Sequence, residues 1–276
     1  MNRETNVAVF GSQRYIPSVA LAGNIDSAYQ QSLNDCMARE GIEGLLDWHP
    51  TDPDLSRETA VGVWLAEDAE RFAFTNPITV LDQLVNGVVN STLSGEESAA
   101  AQEDYDALAE RLEADRTNAG TESYQAAERK CMSSGEGAEW KNRRDSLPRF
   151  SGPWSEEFAA AQVAAYKDDR MVEIKRDFGE CISKAGLSLE ASDSTTRDTF
   201  FTVNGEQFGV INEQQIKMAS DVVRCKDETG AVEKLLNVVA EYEAPVYLEY
   251  ERELQSLAVE LDELERVTSE YWTGRD

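Results

Sequence analysis

The chain has 276 residues, 41% of them hydrophobic and 8% aromatic, which is enough apolar surface to bury one good core or two smaller ones. Its 53 acidic residues against 26 basic ones give a formal charge of −27, and this charge repels nucleic acid phosphates and the anionic face of a membrane. We therefore expect a globular protein without a nucleic acid partner.

No transmembrane segment is expected. A membrane helix needs about eighteen or more consecutive apolar residues, and the most apolar N-terminal stretch, residues 7–23, is interrupted by Ser12, Arg14 and Pro17. The same interruptions argue against a signal peptide. We expect the protein to be either cytosolic or exported with its native signal absent from this sequence, and the cysteines decide between the two.

The first helix is expected after a short N-terminal segment. Residues 1–24 lack a clear pattern and predict an extended lead-in. Ile25, Tyr29 and Leu33 then follow one another at helical spacing, and they predict a helix that continues to about Glu40.

A turn-rich loop follows this helix. Residues 48–54 include two prolines, which predict a break in regular structure. The single histidine, His49, lies in this loop, and we interpret it as a surface or packing residue rather than a catalytic base. Helical patterns are then predicted over residues 56–74 and twice more between residues 76 and 115, where an Asn-Pro pair and a Ser-Gly-Glu-Glu capping box mark two helix starts.

A domain boundary is predicted at residues 133–153, which combine glycines, serines, two prolines and a small basic island. We expect an N-terminal helical lobe at residues 25–147 and a C-terminal helical lobe at residues 148–276. Pockets tend to form between domains, so three aromatic residues near the boundary are a candidate inter-lobe binding surface: Trp140, Trp154 and Tyr166. The alternative is that these side chains belong to the core.

The C-terminal lobe is expected to hold one small β element among its helices. A helix is predicted from Trp154 to Cys181, and a β-hairpin at residues 199–211, where β-branched and aromatic residues surround an Asn-Gly pair. Another helix then leads to Cys225. The predicted fold class is therefore mostly α.

The longest helical pattern follows Gly230 and reaches Tyr271. Pro245 is expected to kink or break it near Glu241. Beyond the proline, four leucines form an apolar seam between charged positions: Leu254, Leu257, Leu261 and Leu264. This seam is interpreted either as the core face of a helix or as a coiled-coil surface for a partner.

Three cysteines share a spacing in which a glycine follows five residues later: Cys36 with Gly41, Cys181 with Gly186, and Cys225 with Gly230. Glycine commonly ends a helix in the left-handed conformation, so each of these cysteines is expected in the last turn of a helix. The sequence has no CxxC pair and one histidine, and neither a metal site nor a cofactor is predicted.

The even cysteine count favours two disulfides and hence an oxidising compartment. Four cysteines allow three connectivities. We favour the pairs Cys36–Cys131 and Cys181–Cys225, because each then stays within one half of the chain. Four free buried thiols in a cytosolic protein are the alternative.

Several short motifs carry a resemblance to a known group of proteins. They are Asp35-Cys36-Met37 with Gly41, Glu180-Cys181-Ile182 with Gly186, Leu93-Ser94-Gly95-Glu96-Glu97 leading to Tyr105, and Ser220-Asp221-Val222-Val223-Arg224-Cys225. This pattern resembles actinobacterial exported proteins and lipoproteins that have "CM…G" motifs and an "AvaDvaCk"-like stretch. The resemblance implies export and often a lipid anchor on the native N-terminus, and it implies no particular activity.

No catalytic residue is predicted, because the chain has no GxSxG, HExxH, P-loop or GxGxxG motif. We expect a non-catalytic extracytoplasmic binding or interaction protein of the cell envelope, such as an accessory or sensor lipoprotein of a membrane complex. Its partner is expected to be a protein or a small ligand. Two alternatives stay open: a carboxylate-dependent hydrolase acting on an envelope glycan, and a cytosolic helical adaptor if the thiols are free.

Overall fold

The computed structural model describes residues 7–45, 47–50, 58–75, 121–148, 151–190 and 200–275. Nine α-helices lie in these ranges: α1 (Val19–Arg39), α2 (Ala66–Phe72), α3 (Glu122–Ser133), α4 (Gly135–Asp145), α5 (Pro153–Ala165), α6 (Asp169–Lys184), α7 (Glu213–Thr229), α8 (Ala231–Glu249) and α9 (Glu251–Thr273). A 3-10 helix at Gly11–Tyr15 and two strands, β1 (Val7–Ala8) and β2 (Glu58–Thr59), complete the described elements. The prediction of a mostly helical fold is confirmed.

The N-terminal segment contains more regular structure than an extended lead-in would. Its described part holds β1, the 3-10 helix and the first turns of α1. Helix α1 begins at Val19, earlier than the predicted Ile25, because the Ser18 side chain caps it by accepting a hydrogen bond from the Leu21 N–H at 2.8 Å.

The predicted helix over residues 56–74 is shorter in the structure. Only α2 is helical, and β2 precedes it, paired in parallel with β1. The Ala60 N–H extends this pairing by donating to the Ala8 carbonyl at 2.7 Å. Pairing with the N-terminal strand therefore replaces the first part of the predicted helix. The two helices predicted between residues 76 and 115 lie outside the described residues.

The helix predicted from Trp154 to Cys181 is two helices, α5 and α6. Asp168 separates them, because its side chain caps α6 by accepting from the Arg170 N–H at 2.8 Å and also accepts from the Tyr242 hydroxyl at 3.0 Å. The predicted boundary at residues 133–153 also differs from a plain linker, since it contains α4.

The predicted hairpin at residues 199–211 is a different antiparallel contact. Leu189 and Val203 form an isolated antiparallel bridge, flanked by hydrogen bonds from the Glu190 N–H to the Thr202 carbonyl at 3.0 Å and from the Asn204 N–H to the Ser188 carbonyl at 2.9 Å. The described residues 200–211 contain no pair of strands, so the hairpin was predicted at the wrong place. Val203 instead pairs with Leu189, which precedes it in the sequence.

The C-terminal helical pattern is interrupted at a different residue than predicted. Helix α8 continues through Pro245, and the break lies at Tyr250, whose φ is −111° and ψ 27°. The predicted kink or break near Glu241 is therefore not a break, since the helix is continuous there. A proline removes one helix hydrogen bond, whereas the interruption comes where packing partners change. Helix α8 packs on α5, α6 and α7, α9 packs on α1, and both contact the 3-10 helix.

Both predicted disulfides are confirmed. Cys36–Cys131 joins α1 to α3, and Cys181–Cys225 joins α6 to α7. The three predicted terminating glycines also have left-handed backbones, with φ of +87° at Gly41, +79° at Gly186 and +62° at Gly230. The repeated Cys-Gly spacing therefore reflects three helix ends, each of which carries one half of a disulfide.

Buried apolar side chains form two larger clusters and a small one. The α7 cluster combines α2, α6, α7 and α8 with residues 8–10, 60–63 and 200–203, and it contains Cys181–Cys225. The α1 cluster combines α1, α3, α4 and α9, and it contains Cys131 with Cys36 packed against it. A third cluster, which we call the Phe158 cluster, joins Phe158, Val246 and Leu254. Each larger cluster takes residues from both sides of the predicted boundary at 147/148, and each holds one disulfide.

Candidate functional site

The three aromatic residues predicted to form an inter-lobe surface lie in separate places. Trp140 is 2% exposed in the α1 cluster. Trp154 packs against the Phe158 cluster, and Tyr166 packs against the α7 cluster, 5.8 Å from Phe200 between ring centroids. The structure does not bring the three side chains together, and their packing agrees with the core interpretation.

The leucine seam of α9 faces the interior. Leu257 and Leu261 are buried in the α1 cluster, with Leu264 packed against it, and Leu254 is buried in the Phe158 cluster. The seam therefore packs inside its own chain, as the core-helix interpretation has it.

A cavity of about 310 Å³ lies beside α7, at the small end of the size range of ligand sites. We call it the Lys226 cavity. Its lining residues lie in four segments: the turn after β2, the residues just after α2, the turns before α7, and α7 itself. They are Ala60, Val61, Gly62, Val63, Phe74, Phe201, Thr202, Glu206, Phe208, Val222 and Lys226. Most of this wall is apolar.

Lys226 is the buried cation of this cavity, with 2% of its surface exposed. Its Nζ donates to the Val61 and Val63 carbonyls, each at 2.6 Å, and lies 4.8 Å from the centroid of the Phe201 ring. Gly62, with φ of +68°, makes the turn between the two accepting carbonyls. An ammonium has three N–H donors, so the protonated form of Lys226 has one donor without an acceptor among the described residues.

Glu206 is the carboxylate of the cavity, and α7 holds it in place. The buried Gln215 side chain donates to the Gly205 carbonyl at 2.9 Å and accepts from the Gln207 N–H at 3.0 Å. These two bonds fix the backbone on either side of Glu206. One Glu206 oxygen accepts from the Val203 N–H at 3.2 Å, and the other has no donor within the described part of the chain.

The two charged groups have shifted acid-base behaviour. Burial lowers the pKa of Lys226 to about 7, against the opposing effect of the Glu206 charge. Burial raises the pKa of Glu206, while the Val203 N–H and the Lys226 charge act in the opposite direction and Glu190 adds to the increase. Groups with shifted pKa values in a cavity are frequent at functional sites.

The arrangement is suited to holding a small molecule. It offers one N–H donor and one carboxylate oxygen in a wall of valines and phenylalanines, and Phe208 is 74% exposed at the rim. Glycosidases need two carboxylates about 5 to 9 Å apart, whereas Glu206 is the single carboxylate among the described lining residues. This cavity therefore gives no support to the hydrolase interpretation.

Outside the cavity, the carboxylate of Glu243 in α8 is fully enclosed. It accepts from the Ser12 N–H at 3.2 Å, the Ser12 hydroxyl at 2.7 Å, the Gln162 amide at 2.9 Å and the Tyr247 hydroxyl at 3.3 Å. Four donors fill the acceptor positions of a carboxylate. Glu243 therefore joins the 3-10 helix to α5 and α8, and it has no capacity left for a ligand.

An open depression of about 700 Å³ runs along α6. Two of its cations are engaged within the chain, because Arg176 pairs with Asp177 at 2.9 Å and Lys175 lies 5.9 Å from the Phe200 ring centroid. Seven of its nine lining residues belong to α6, so one helix supplies most of this depression, whereas several segments enclose the Lys226 cavity.

The sequence interpretation missed both charged residues of the cavity, Lys226 and Glu206. A signal for Lys226 was present, because it follows Ala219 and Val222 at helical spacing and so puts a charge on the buried face of α7. Glu206 carried no comparable signal, since it lies in an exposed-looking Asn-Gly turn and is brought to the cavity only by the tertiary contact of Gln215.

The comparisons with known proteins found nothing similar: no protein-family model, no curated protein and no solved structure matches the chain. Among the described helices, none combines the length and the apolar character that crossing a membrane requires.

Proposed function

We propose that the protein is a non-catalytic, extracytoplasmic binding protein of the cell envelope, and that its ligand is a small molecule held in the Lys226 cavity. The observation that carries the proposal is Lys226 itself, a buried side chain whose ammonium form has one N–H donor without an acceptor among the described residues, beside a mostly apolar cavity. An unsatisfied buried donor is costly, and a ligand acceptor would remove that cost.

The compartment is supported by the cysteines. All four are paired in two disulfides, and such bonds persist in oxidising environments outside the cytoplasm. The cytosolic adaptor alternative required free thiols and is set aside. The resemblance to actinobacterial exported proteins and lipoproteins adds the finer proposal of an accessory or sensor lipoprotein with a lipid anchor on its native N-terminus.

The ligand-binding part is tested with a library of small polar-apolar molecules, screened by thermal shift. Lys226→Met removes the donor, and Lys217→Met is the matched control on the same helix, where the side chain is 80% exposed. We expect hits that raise the melting temperature of the parent protein and of Lys217→Met, but not of Lys226→Met. Hits that stabilise all three proteins equally, or an absence of hits, would overturn the cavity as the binding site.

The compartment is tested by producing the chain once with an export signal and once in a reducing cytoplasm. We expect the exported protein to have both disulfides and the higher melting temperature, because the crosslinks restrict the unfolded chain. Equal stability of the two products, with free thiols in both, would contradict the proposed compartment.

A further inference from the structure

Resting on the proposed binding function, we infer that the Lys226 cavity takes an α-amino acid with an apolar side chain, its carboxylate on Lys226 and its ammonium on Glu206. The inference deepens the proposed function by naming the chemical class of the ligand.

Protonated Lys226 requires a further hydrogen-bond acceptor that has a negative charge. Two of its donors go to the Val61 and Val63 carbonyls. Those two acceptors are neutral, so the charge of a protonated Lys226 has no ion-pair partner at hydrogen-bond distance within the described residues. A carboxylate is the small acceptor that both takes the third N–H and balances the charge.

Ionised Glu206 requires a further hydrogen-bond donor that has a positive charge. One of its oxygens accepts a hydrogen bond from the Val203 N–H, and its second oxygen has no hydrogen-bond donor among the described residues. A ligand ammonium supplies the matching donor and charge. The carboxylate and the amine of an amino acid are joined through one carbon atom, so a single small molecule meets both demands.

The net charge of the protein affects which ligands can approach the cavity. A chain with a formal charge of −27 repels simple anions. A zwitterion has no net charge and approaches without this repulsion, whereas a carboxylate alone does not. The overall acidity therefore favours a ligand that has both charges over one that offers only an anion to Lys226.

The wall of the Lys226 cavity is mostly apolar. Three phenylalanines line the same cavity as the two charged groups: Phe74, Phe201 and Phe208. Ligand pockets combine such walls with a few placed polar groups. A cavity of about 310 Å³ suits a molecule of amino acid size, and its rings suit an aliphatic or aromatic side chain.

The experiment is isothermal titration calorimetry of the full chain with L-phenylalanine and three truncated probes. 3-Phenylpropanoate lacks the amine, 2-phenylethylamine lacks the carboxylate, and L-alanine lacks the apolar body. We expect each probe to bind at least about tenfold more weakly than L-phenylalanine, because each leaves a charged or apolar part of the site unmatched.

Variants then assign each contact. Glu206→Gln should weaken L-phenylalanine at least about tenfold and leave 3-phenylpropanoate unchanged, because that probe has no ammonium to lose. Lys226→Met should weaken L-phenylalanine and leave 2-phenylethylamine unchanged. A merely structural effect would weaken all probes together. If Lys226→Met fails to fold by circular dichroism, the probe series and Glu206→Gln decide the question alone.

The outcomes separate this inference from the function on which it rests. If 3-phenylpropanoate or 2-phenylethylamine binds as tightly as L-phenylalanine, the cavity binds small molecules but the amino acid class is wrong. If L-phenylalanine, L-leucine and L-valine all fail to bind, the inference is overturned, while the library screen with Lys226→Met still judges the binding function by itself.

Discussion

Replacing Glu243 by glutamine changes one atom of a fully buried carboxylate, and the hydrogen bonds around it set the expected cost. The Oε1 atom accepts from the Ser12 hydroxyl and the Gln162 amide, and the Oε2 atom accepts from the Ser12 N–H and the Tyr247 hydroxyl. A glutamine side chain replaces one of these oxygens with an NH₂ group, which donates and cannot accept.

Both orientations of the new amide leave a donor unsatisfied. With NH₂ in place of Oε2, the Ser12 backbone N–H faces another donor, although the Tyr247 hydroxyl can rotate to accept. With NH₂ in place of Oε1, the Gln162 amide faces it, although the Ser12 hydroxyl can rotate. One unpaired buried N–H costs about 1–3 kcal/mol, so Glu243→Gln should lower the free energy of unfolding by that amount.

The assay is urea denaturation at neutral pH, followed by circular dichroism. The matched control is Glu249→Gln, the same chemical change at an exposed position of the same helix, and its effect should stay within about 0.5 kcal/mol. If Glu243→Gln unfolds at the same urea concentration as Glu249→Gln, Glu243 does not join the 3-10 helix to α5 and α8 in the way described.

Two further predictions concern crosslinks and pH. The chain-entropy relation puts the loss at about 4.7 kcal/mol for Cys36→Ser/Cys131→Ser, whose residues are 95 apart, and about 4.0 kcal/mol for Cys181→Ser/Cys225→Ser, 44 apart; urea denaturation measures both, and parent-like stability of either variant contradicts the crosslink. Burial lowers the pKa of Lys226 from 10.5 to about 7, so the folded state binds fewer protons than the unfolded state between these values and stability should rise as pH increases through that window. Urea midpoints from pH 7 to pH 10 should rise less steeply for Lys226→Met than for the parent protein. If the midpoints of the two proteins rise in parallel, Lys226 is not the group that causes this pH dependence.

Local chemistry explains what the sequence predicted correctly. A glycine that adopts a left-handed backbone ends a helix whatever lies around it, so Gly41, Gly186 and Gly230 identified three helix ends. The disulfide pairs followed from keeping each link within one half of the chain, and each link does hold a single apolar cluster.

Long-range contacts explain what the sequence did not predict. The pairing of β1 with β2 depends on strands about fifty residues apart, and two-residue strands leave almost no pattern. Val203 pairs with Leu189 instead of closing a local hairpin, because an isolated hairpin is marginal without support. Lys226 and Glu206 line one cavity only because the turn that contains Glu206 packs onto α7. The spacing of the two residues in the sequence does not predict this packing.

The four cysteines form two covalent links, and such links persist in an oxidising compartment. Mass spectrometry of the native protein, alkylated without reductant and then digested, tests these links. We expect no alkylated cysteine, an intact mass lower than that of the reduced form by four hydrogen atoms, and linked peptides joining Cys36 to Cys131 and Cys181 to Cys225. Alkylation of all four cysteines, or peptides linked across these pairs, would contradict it.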